Sequence, residues 1–366
     1  MDKQRYIGLM SGTSMDGVDA VLVSMKGSQW HRAEAHSFLP YSGRLKQELL
    51  NLQNTGINEL HRSMILAQEL SLLYAEAVDL LLQQTHLQPA NITALGCHGQ
   101  TIRHAPENGY SIQLVNLPLL AEKTGIFTIG DFRSRDIASG GQGAPLVPAF
   151  HQAVFQHPDE TRVLLNIGGI ANISILPPSQ PAFGFDTGPG NMLMDAWVQY
   201  HFQQPYDKNG TVAQKGNLIP SLLNKLLSHP YFALPHPKST GRELFSLNWL
   251  QTHLSGSENI YDVQRTLLEY TAITITDAIQ RTAPSAGNVY VCGGGVYNPP
   301  LINRLSNLLP EHTALQSTDS LHLNPQWVEA AAFAWLAACW ITRTPSAPHH
   351  ATGADKPCIL GAGHYA

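Results

Sequence analysis

A short segment near the start of the chain combines small, hydroxylic and acidic residues between two apolar runs. It comprises Gly12, Thr13, Ser14, Met15, Asp16, Gly17, Val18 and Asp19. Glycines let backbone N–H groups approach a phosphate closely, and hydroxyls add further hydrogen bonds. Carboxylates beside phosphates require a cation such as Mg²⁺ between them. The segment therefore predicts a phosphate-binding turn, with a self-bonded loop of Ser, Thr and Asp as the alternative.

Two further glycine-rich segments follow apolar runs later in the chain. Gly168 and Gly169 lie within NIGGIANIS, and Gly293, Gly294 and Gly295 follow the run NVYVC. The first pair is most simply a tight hairpin turn, but together with the opening turn it predicts a second contact to one polyphosphate. The triple glycine precedes Asn298 and a proline-marked helix start, which favours close approach of a flat ring or a phosphate.

Asp186, in GFDTGPGN, lies at the end of a predicted strand and has small neighbours that leave room in front of its carboxylate. Ligands of α/β sheets bind at such strand ends, so Asp186 is a candidate general base. The alternative is that it hydrogen-bonds the backbone of its own loop. Asp195, inside the next predicted helix, is expected to be structural.

Polar residues also follow predicted strands in the first half of the chain. His98 lies in CHGQTIRH, and Asp131 and Arg133 lie in GDFRSRD. They are candidates for holding a hydroxylated, anionic small molecule, since arginine suits a carboxylate. A histidine after a strand is more often structural. Glu329 interrupts an Ala-rich apolar helix, where a carboxylate needs a partner or faces a cleft.

Periodicity predicts the elements that position these residues. Residues 5–10, 18–25 and 33–38 are predicted strands, and apolar residues from Met64 to Leu81 predict a helix. Residues 92–97 predict a strand followed by a loop through CHGQTIRH. In the second half, 161–176 predicts another hairpin, AFGFD a third strand, MLMDAWVQYHF a helix, and 262–280 a further helix. Each half thus begins with a hairpin bearing a Gly-rich turn, although any α/β chain shows such echoes.

Composition supports a packed enzyme and excludes other classes. The 366 residues are 43% hydrophobic and 13% charged, and the net charge of −5 leaves no basic footprint for nucleic acid. The four cysteines are widely separated and predict free thiols in a reducing cytosol. The absence of a signal peptide or a long apolar run predicts a cytoplasmic protein without membrane contact.

The assembled motifs resemble the anhydro-N-acetylmuramic acid kinase family, of the actin-like ATPase and sugar kinase group. The resemblance extends through nearly the whole chain, in GLMSGTSMDGVDA, CHGQT, DFRSRDIASGGQGAPLVPAFH, NIGGIANIS, FDTGPGNMLMDAW, STGRE, CGGGVYN and EAAAFAWLA. It implies two related α/β domains facing each other across a cleft. The expected division is 1–140, with the tail 345–366 packing back, and 141–344.

The resemblance also implies the reaction and its residues. ATP, with Mg²⁺, would be held by residues 12–19, Gly168–Gly169 and Gly293–Gly295 with Asn298. Asp186 would activate a water that opens 1,6-anhydro-N-acetylmuramic acid, and O6 would take the γ-phosphoryl group. His98, Asp131, Arg133 and Glu329 would contact this small sugar. The product, N-acetylmuramic acid 6-phosphate, belongs to cytoplasmic recycling of cell-wall fragments.

The chain departs from the family pattern at two places and leaves alternatives open. Val115–Asn116 replaces a usual Gly-Asp or Gly-Asn, and Ser134 replaces a common arginine, which bears on the sugar contacts. The alternatives are a kinase for another sugar or small acid, an ATP-driven conformational switch, and a hydrolase that opens anhydro-sugars without ATP. The direct Mg²⁺ ligands are left open, and a homodimer is the expected assembly.

Overall fold

The computed structural model describes residues 3–241, 244–347 and 349–366, and these divide into two compact α/β units. The first unit comprises the described residues of 1–154 and 327–366, and the second comprises those of 155–326. Each unit is built on one β-sheet and has its own apolar core. The mixed α/β class predicted from the sequence is confirmed.

The first part of the chain supplies most of the first sheet and a long helix packed on it. Its strands are β1 (Gln4–Ser11), β2 (Gly17–Lys26), β3 (Gln29–Pro40), β4 (Ala94–Ala105), β5 (Tyr110–Leu114) and β6 (Thr128–Gly130). Its helices are α1 (Gly43–Leu52), α2 (Glu59–Thr85), α3 (Leu117–Thr124), α4 (Phe132–Ile137) and α5 (Val147–Phe155). The predicted apolar face of α2 is buried from Ala67 to Leu81, whereas Met64 is exposed.

The second unit contains the second sheet. Its strands are β7 (Arg162–Ile167), β8 (Ile170–Leu176), β9 (Phe183–Pro189), β10 (Asn288–Cys292) and β11 (Ala314–Ser317). Its helices are α6 (Met192–Phe202), α7 (Pro220–Leu227), α8 (Leu247–Gln251), α9 (Ile260–Thr282) and α10 (Pro299–Leu308). The helix predicted over MLMDAWVQYHF has the bounds of α6.

The two sheets share one topology. The first contains the order β3-β2-β1-β4-β6, and the second has the order β9-β8-β7-β10-β11. In each, the first three strands form an antiparallel meander, and the next two are parallel to the first. The similar order of elements in the two halves of the sequence therefore corresponds to one sheet topology that occurs twice.

The last part of the chain returns to the first unit as α11 (Val328–Ile341), α12 (His349–Thr352) and β12 (Ala362–His364). Helix α11 lies directly on the sheet, where Gly8 of β1 and Gly96 of β4 are paired in register. A Cβ on Gly8 would stand 1.8 Å from the Ala330 carbonyl oxygen, and one on Gly96 would stand 1.9 Å from that of Phe333. The two glycines thus create the groove that an Ala-rich helix fills.

The observed division differs from the expected boundaries at 140 and 344. The first unit extends to residue 154 because Phe150 of α5 packs against Trp30 and Trp335, with ring centroids 5.4 and 6.1 Å apart. The described residues from 327 onward also belong to the first unit, because α11 packs on its sheet. The C-terminal tail does pack back, since β12 pairs antiparallel with β6.

Three local expectations are wrong. CHGQTIRH is part of β4 rather than a loop, because the strand leaves β1 near Gln100 and continues as a hairpin with β5. The TGP after Asp186 continues β9 along β8. The composition of PSAPHHATGADKP, residues 345–357, predicts a surface loop, but Ala351 and Thr352 are buried in α12.

Candidate functional site

The opening turn connects β1 to β2, and hydrogen bonds to the Gly12 carbonyl hold its backbone. The Met15 N–H donates to the Gly12 carbonyl at 3.2 Å, and the Gln100 Nε2 donates to the same oxygen at 3.1 Å. Met15 has a φ of 54° and is fully buried, so it anchors the turn in the core. A Cβ on Gly12 would meet only the Ser14 hydroxyl, at 3.8 Å. The Gly12 face of the turn is therefore open for a ligand to approach.

The two carboxylates of this turn are engaged with basic side chains of the first unit. Asp16 bonds to the Lys46 ammonium at 2.9 Å, and Asp19 bonds to the His36 Nε2 at 2.8 Å. Gly17 is required by strand packing, because a Cβ there would lie 2.3 Å from the Leu39 carbonyl oxygen. Val18 is buried in the core.

A buried network of hydroxyls and an amide supports the turn, and the motif search missed it. The Tyr41 hydroxyl donates to Ser11 at 2.7 Å, and the Tyr74 hydroxyl lies 2.6 Å from the same oxygen. Gln100 joins through its Oε1, 3.4 Å from the Tyr41 hydroxyl. Burial raises the pKa of Tyr41 to about 12 and raises that of Tyr74 well above its usual value, so both hydroxyls remain neutral. In the sequence, the one feature that indicates this network is the presence of polar residues within apolar runs.

His98 and Arg133, both predicted to contact a small molecule, contact each other. The Arg133 Nε and Nη2 donate to the His98 Nε2 at 3.1 and 2.9 Å. Burial, and then the Arg133 charge, hold the pKa of His98 well below its usual value, so the imidazole is neutral. His98 is 4% exposed and its ring packs on Phe333. The buried imidazole of His98 therefore holds the half-buried guanidinium of Arg133 through these hydrogen bonds.

The other predicted residues of the first unit lie on two different helices. Asp131, with φ 54°, precedes α4, and its exposed carboxylate accepts a hydrogen bond from Ser134 at 2.5 Å. Glu329 lies half-buried in the first turn of α11. Val115, the departure from the family pattern, has its side chain beside Gly99, the residue after His98.

In the second unit the glycine-rich segments converge at one edge of the sheet. Strands β7, β9 and β10 run in the same direction, so their ends at Ile167, Pro189 and Cys292 meet there. The N–H groups of Gly190 and Asn191 donate to the carbonyls of Gly169 and Gly168 at 2.9 and 2.8 Å. The β7–β8 turn and the start of α6 are thus joined by backbone hydrogen bonds.

The three glycines after β10 have different roles. A Cβ on Gly293, whose φ is 81°, would lie 2.3 Å from the Asn166 Oδ1, and one on Gly295 would lie 2.3 Å from the Ile167 side chain. Packing against β7 therefore requires both. A Cβ on Gly294 would meet only the Asn191 amide, at 4.0 Å. Asn298 accepts from the Leu301 N–H at 3.3 Å and caps α10. Of the three glycines, Gly294 has the open face.

Asp186 is half-buried in β9, and a distant loop fixes its carboxylate. Its Oδ2 accepts from the Thr240 N–H at 3.0 Å, and its own N–H donates to the Lys238 carbonyl at 3.2 Å. The Tyr231 hydroxyl donates to the Asp186 carbonyl at 2.7 Å. The carboxylate thus bonds to a backbone 54 residues further along the chain. Arg242 and Glu243 of the STGRE motif lie outside the described residues.

Lys238 is a neighbour of Asp186 that the sequence analysis missed. Its Nζ lies 4.6 Å from the centre of the Tyr231 ring and donates to the Tyr231 carbonyl at 3.1 Å. Burial, and then the Arg281 charge, lower the pKa of Lys238. The STGRE motif one residue later was the only signal for this loop.

Within the described ranges, no three His, Cys, Asp or Glu side chains are grouped so as to hold a metal ion. No helix among the same residues is long and apolar enough to cross a membrane. The four cysteines are buried, and none forms a disulfide bond among the described residues.

Comparison with known proteins gives a consistent result along the whole chain. The model of the anhydro-N-acetylmuramic acid kinase family matches residues 4–366. A protein of that name from Neisseria meningitidis serogroup B is 66% identical over all of both chains, and one from Nitrosomonas europaea is 53% identical over 98% of each. Among solved structures, an activator of 2-hydroxyisocaproyl-CoA dehydratase from Clostridium difficile with bound ADPNP is 14% identical, covers 92% of this chain and 94% of its own, and has a TM-score of 0.48. The chain belongs to the anhydro-N-acetylmuramic acid kinase family.

Proposed function

We propose that this chain is an ATP-dependent kinase that opens 1,6-anhydro-N-acetylmuramic acid and phosphorylates its O6. The observation that carries the proposal is the family match over residues 4–366, together with a 66% identical relative of that name and equal length. The products are N-acetylmuramic acid 6-phosphate and ADP. The reaction belongs to cytoplasmic recycling of cell-wall fragments.

ATP would bind together with Mg²⁺. In the first unit the proposed contacts come from residues 12–19, and the open face of Gly12 supports them. In the second unit they come from Gly168–Gly169, Gly293–Gly295 and Asn298, and the open face of Gly294 supports these. Backbone N–H groups at such faces hold phosphates without a charged side chain. The metal neutralises charge on the transferred phosphoryl group.

Asp186 is the proposed general base. Its carboxylate takes a proton from a water molecule, and that water attacks the anomeric carbon of the anhydro-sugar. The bond from this carbon to O6 breaks, and O6 attacks the γ-phosphorus of ATP, which releases ADP. The Thr240 N–H holds one carboxylate oxygen in place, which supports a fixed orientation toward the water. Each reaction consumes one water and one ATP.

Arg133 is the proposed ligand of the substrate's carboxylate. Guanidinium and carboxylate form strong charge-assisted hydrogen bonds, and the buried His98 orients this guanidinium. His98 itself is therefore proposed to act through Arg133. Asp131, which is exposed, and Glu329 are proposed to contact sugar hydroxyls.

Isotope labelling tests the whole proposal. The protein is mixed with ATP, Mg²⁺ and the anhydro-sugar in oxygen-18 water, and the products are analysed by mass spectrometry. The expected result is one label at the anomeric hydroxyl and none in the phosphate. Label in free phosphate, with the sugar unchanged, would indicate an ATPase. Equal turnover with other sugars would indicate a different acceptor.

A further inference from the structure

The C-terminal tail holds the segment that carries Arg133. Strand β12 pairs with β6 along Thr128–Gly130, immediately before α4. The Gln142 N–H donates to the Thr352 carbonyl at 2.8 Å, and the Asp355 N–H donates to the Ser139 carbonyl at 2.8 Å. The tail therefore contacts this segment from its first strand to the loop after α4.

Asp136 is the centre of these contacts. It lies on α4, one turn after Arg133, and is fully buried. Its Oδ1 accepts from the Thr352 hydroxyl at 2.8 Å, and its Oδ2 accepts from the Gly143 N–H at 2.8 Å. A Cβ on Gly141 would lie 2.2 Å from this carboxylate, so the loop folds tightly around it.

Gly143 connects Asp136 to Arg133. Its N–H bonds to the Asp136 carboxylate, and its carbonyl accepts from the Arg133 Nη1 at 2.6 Å. Gly143 has a φ of 68°, a conformation that suits glycine. On its other edge the guanidinium bonds to His98. A buried carboxylate, one glycine peptide and one imidazole thus set the plane of the guanidinium.

We propose that Asp136 and Thr352 are positioning residues that orient Arg133 toward the carboxylate of the sugar substrate. The proposal rests on the function proposed above. Neither side chain contacts the substrate in this account. Both act through Gly143, since loss of the Thr352 hydroxyl frees one oxygen of Asp136 and loosens the loop. A buried carboxylate that loses one of its hydrogen bonds is poorly solvated and moves.

The test uses the full-length protein with the substitutions Thr352→Val, Thr352→Ser and Asp136→Asn. Thr342→Val is the matched control, because its hydroxyl donates to the Ala338 carbonyl on α11 at 2.8 Å and lies outside this network. Thr352→Val is expected to raise KM for the anhydro-sugar about tenfold, the size of one lost hydrogen bond, with KM for ATP within about twofold. Thr352→Ser is expected to restore the wild-type KM.

A double variant separates positioning from general destabilisation. In an Arg133→Met background, Thr352→Val is expected to cause no further rise in KM, because both changes act through one guanidinium. Hydrogen exchange at the amides of Gln142 and Gly143 is expected to be faster in Thr352→Val and Asp136→Asn, and unchanged in Thr342→Val.

Each result that contradicts these expectations overturns either the positioning role or the proposed function. An unchanged KM in Thr352→Val, a fall in kcat alone, or an equal effect in the Arg133→Met background would overturn the positioning role. Unchanged exchange at Gln142 and Gly143 would also overturn it, even if a variant were inactive. A wild-type protein whose ATP turnover ignores the sugar would overturn the proposed function, and with it this role of Arg133.

Discussion

At the scale of residues, the carboxylate of Asp186 accepts a hydrogen bond from the backbone N–H of Thr240, in a loop far along the chain. We propose Asp186 as the base, since the Thr240 N–H holds one oxygen of its carboxylate. In the opening turn, Asp16 and Asp19 bond to Lys46 and His36. Because Asp16 and Asp19 bond to basic side chains, we propose that the turn binds phosphate mainly through its backbone and hydroxyls.

Asp186→Asn is expected to lower kcat by about 10²–10⁴-fold while ATP affinity stays within about twofold. Asparagine keeps the shape and can still accept from the Thr240 N–H, but it cannot take a proton from water. The measurements are steady-state kinetics and calorimetric titration with ATP. Asp277→Asn, on the exposed face of α9, is the control. Near wild-type turnover in Asp186→Asn would show that another group is the base.

Buried histidines make the stability of the first unit depend on pH. Burial lowers the pKa of His151 to about 3, and burial with the Arg133 charge lowers that of His98 well below its ordinary value. Below pH about 6.5 the unfolded chain binds protons at these residues that the folded chain does not. Stability is therefore complete above this pH and falls as the pH drops, by about 1.4 kcal/mol per unit for each histidine.

This pH dependence is tested by measuring the melting temperature at pH 7.5 and at pH 5.5 and taking the difference between the two values. His151→Gln is expected to reduce the difference between the two values, since one neutral buried imidazole is removed. His61→Gln, at an exposed residue of α2, is expected to leave the difference unchanged. An identical pH difference in His151→Gln and the wild type would contradict this account.

At the scale of elements, the same residue type serves two purposes at the end of β10. Gly293 and Gly295 are required by packing against β7, and Gly294 has open space. Gly295→Ala is expected to destabilise the second unit by about 1–3 kcal/mol, because the methyl group overlaps Ile167. Gly294→Ala is expected to leave the melting temperature within about 2 °C and to weaken ATP binding about tenfold or more.

Thermal unfolding with and without ATP distinguishes the two variants. In Gly294→Ala the increase in melting temperature on adding ATP should be smaller than in the wild type, since ligand binding stabilises by mass action. A full ATP-induced increase in Gly294→Ala would place the nucleotide elsewhere.

Sequence periodicity predicted most elements because local patterns determine them. The helix α6 and the hairpins around 12–19 and 168–169 follow directly from apolar alternation and glycine placement. The features that periodicity did not predict depend on contacts between residues that are far apart in the sequence. Nothing local shows that Gly8 and Gly96 pair beneath α11, or that Thr240 reaches Asp186. The extension of β4 through CHGQTIRH likewise depends on its pairing with β5.

At the scale of the whole molecule, one topology occurs twice with different additions. The shared order is β3-β2-β1-β4-β6 in the first sheet and β9-β8-β7-β10-β11 in the second. Only the first sheet, among the described residues, gains a further strand from the end of the chain, β12. The strand next to it, β6, leads directly into Asp131 and Arg133. The tail is therefore an addition to the unit that we propose binds the sugar.

Deletion of residues 359–366 tests this division of roles. The deletion removes β12 and Leu360, which is fully buried, so the first unit is expected to lose about 2–5 kcal/mol of stability. Hydrogen exchange is expected to become faster from Thr128 through Gly143 and to remain unchanged in β7 and β10, because the second unit has its own core. KM for the sugar should rise more than KM for ATP, since the loosened segment carries Arg133.

Deletion of Tyr365 and Ala366 alone, which leaves β12 intact, is the control. Equal exchange increases in both units would show that the tail stabilises the whole chain rather than the Arg133 segment.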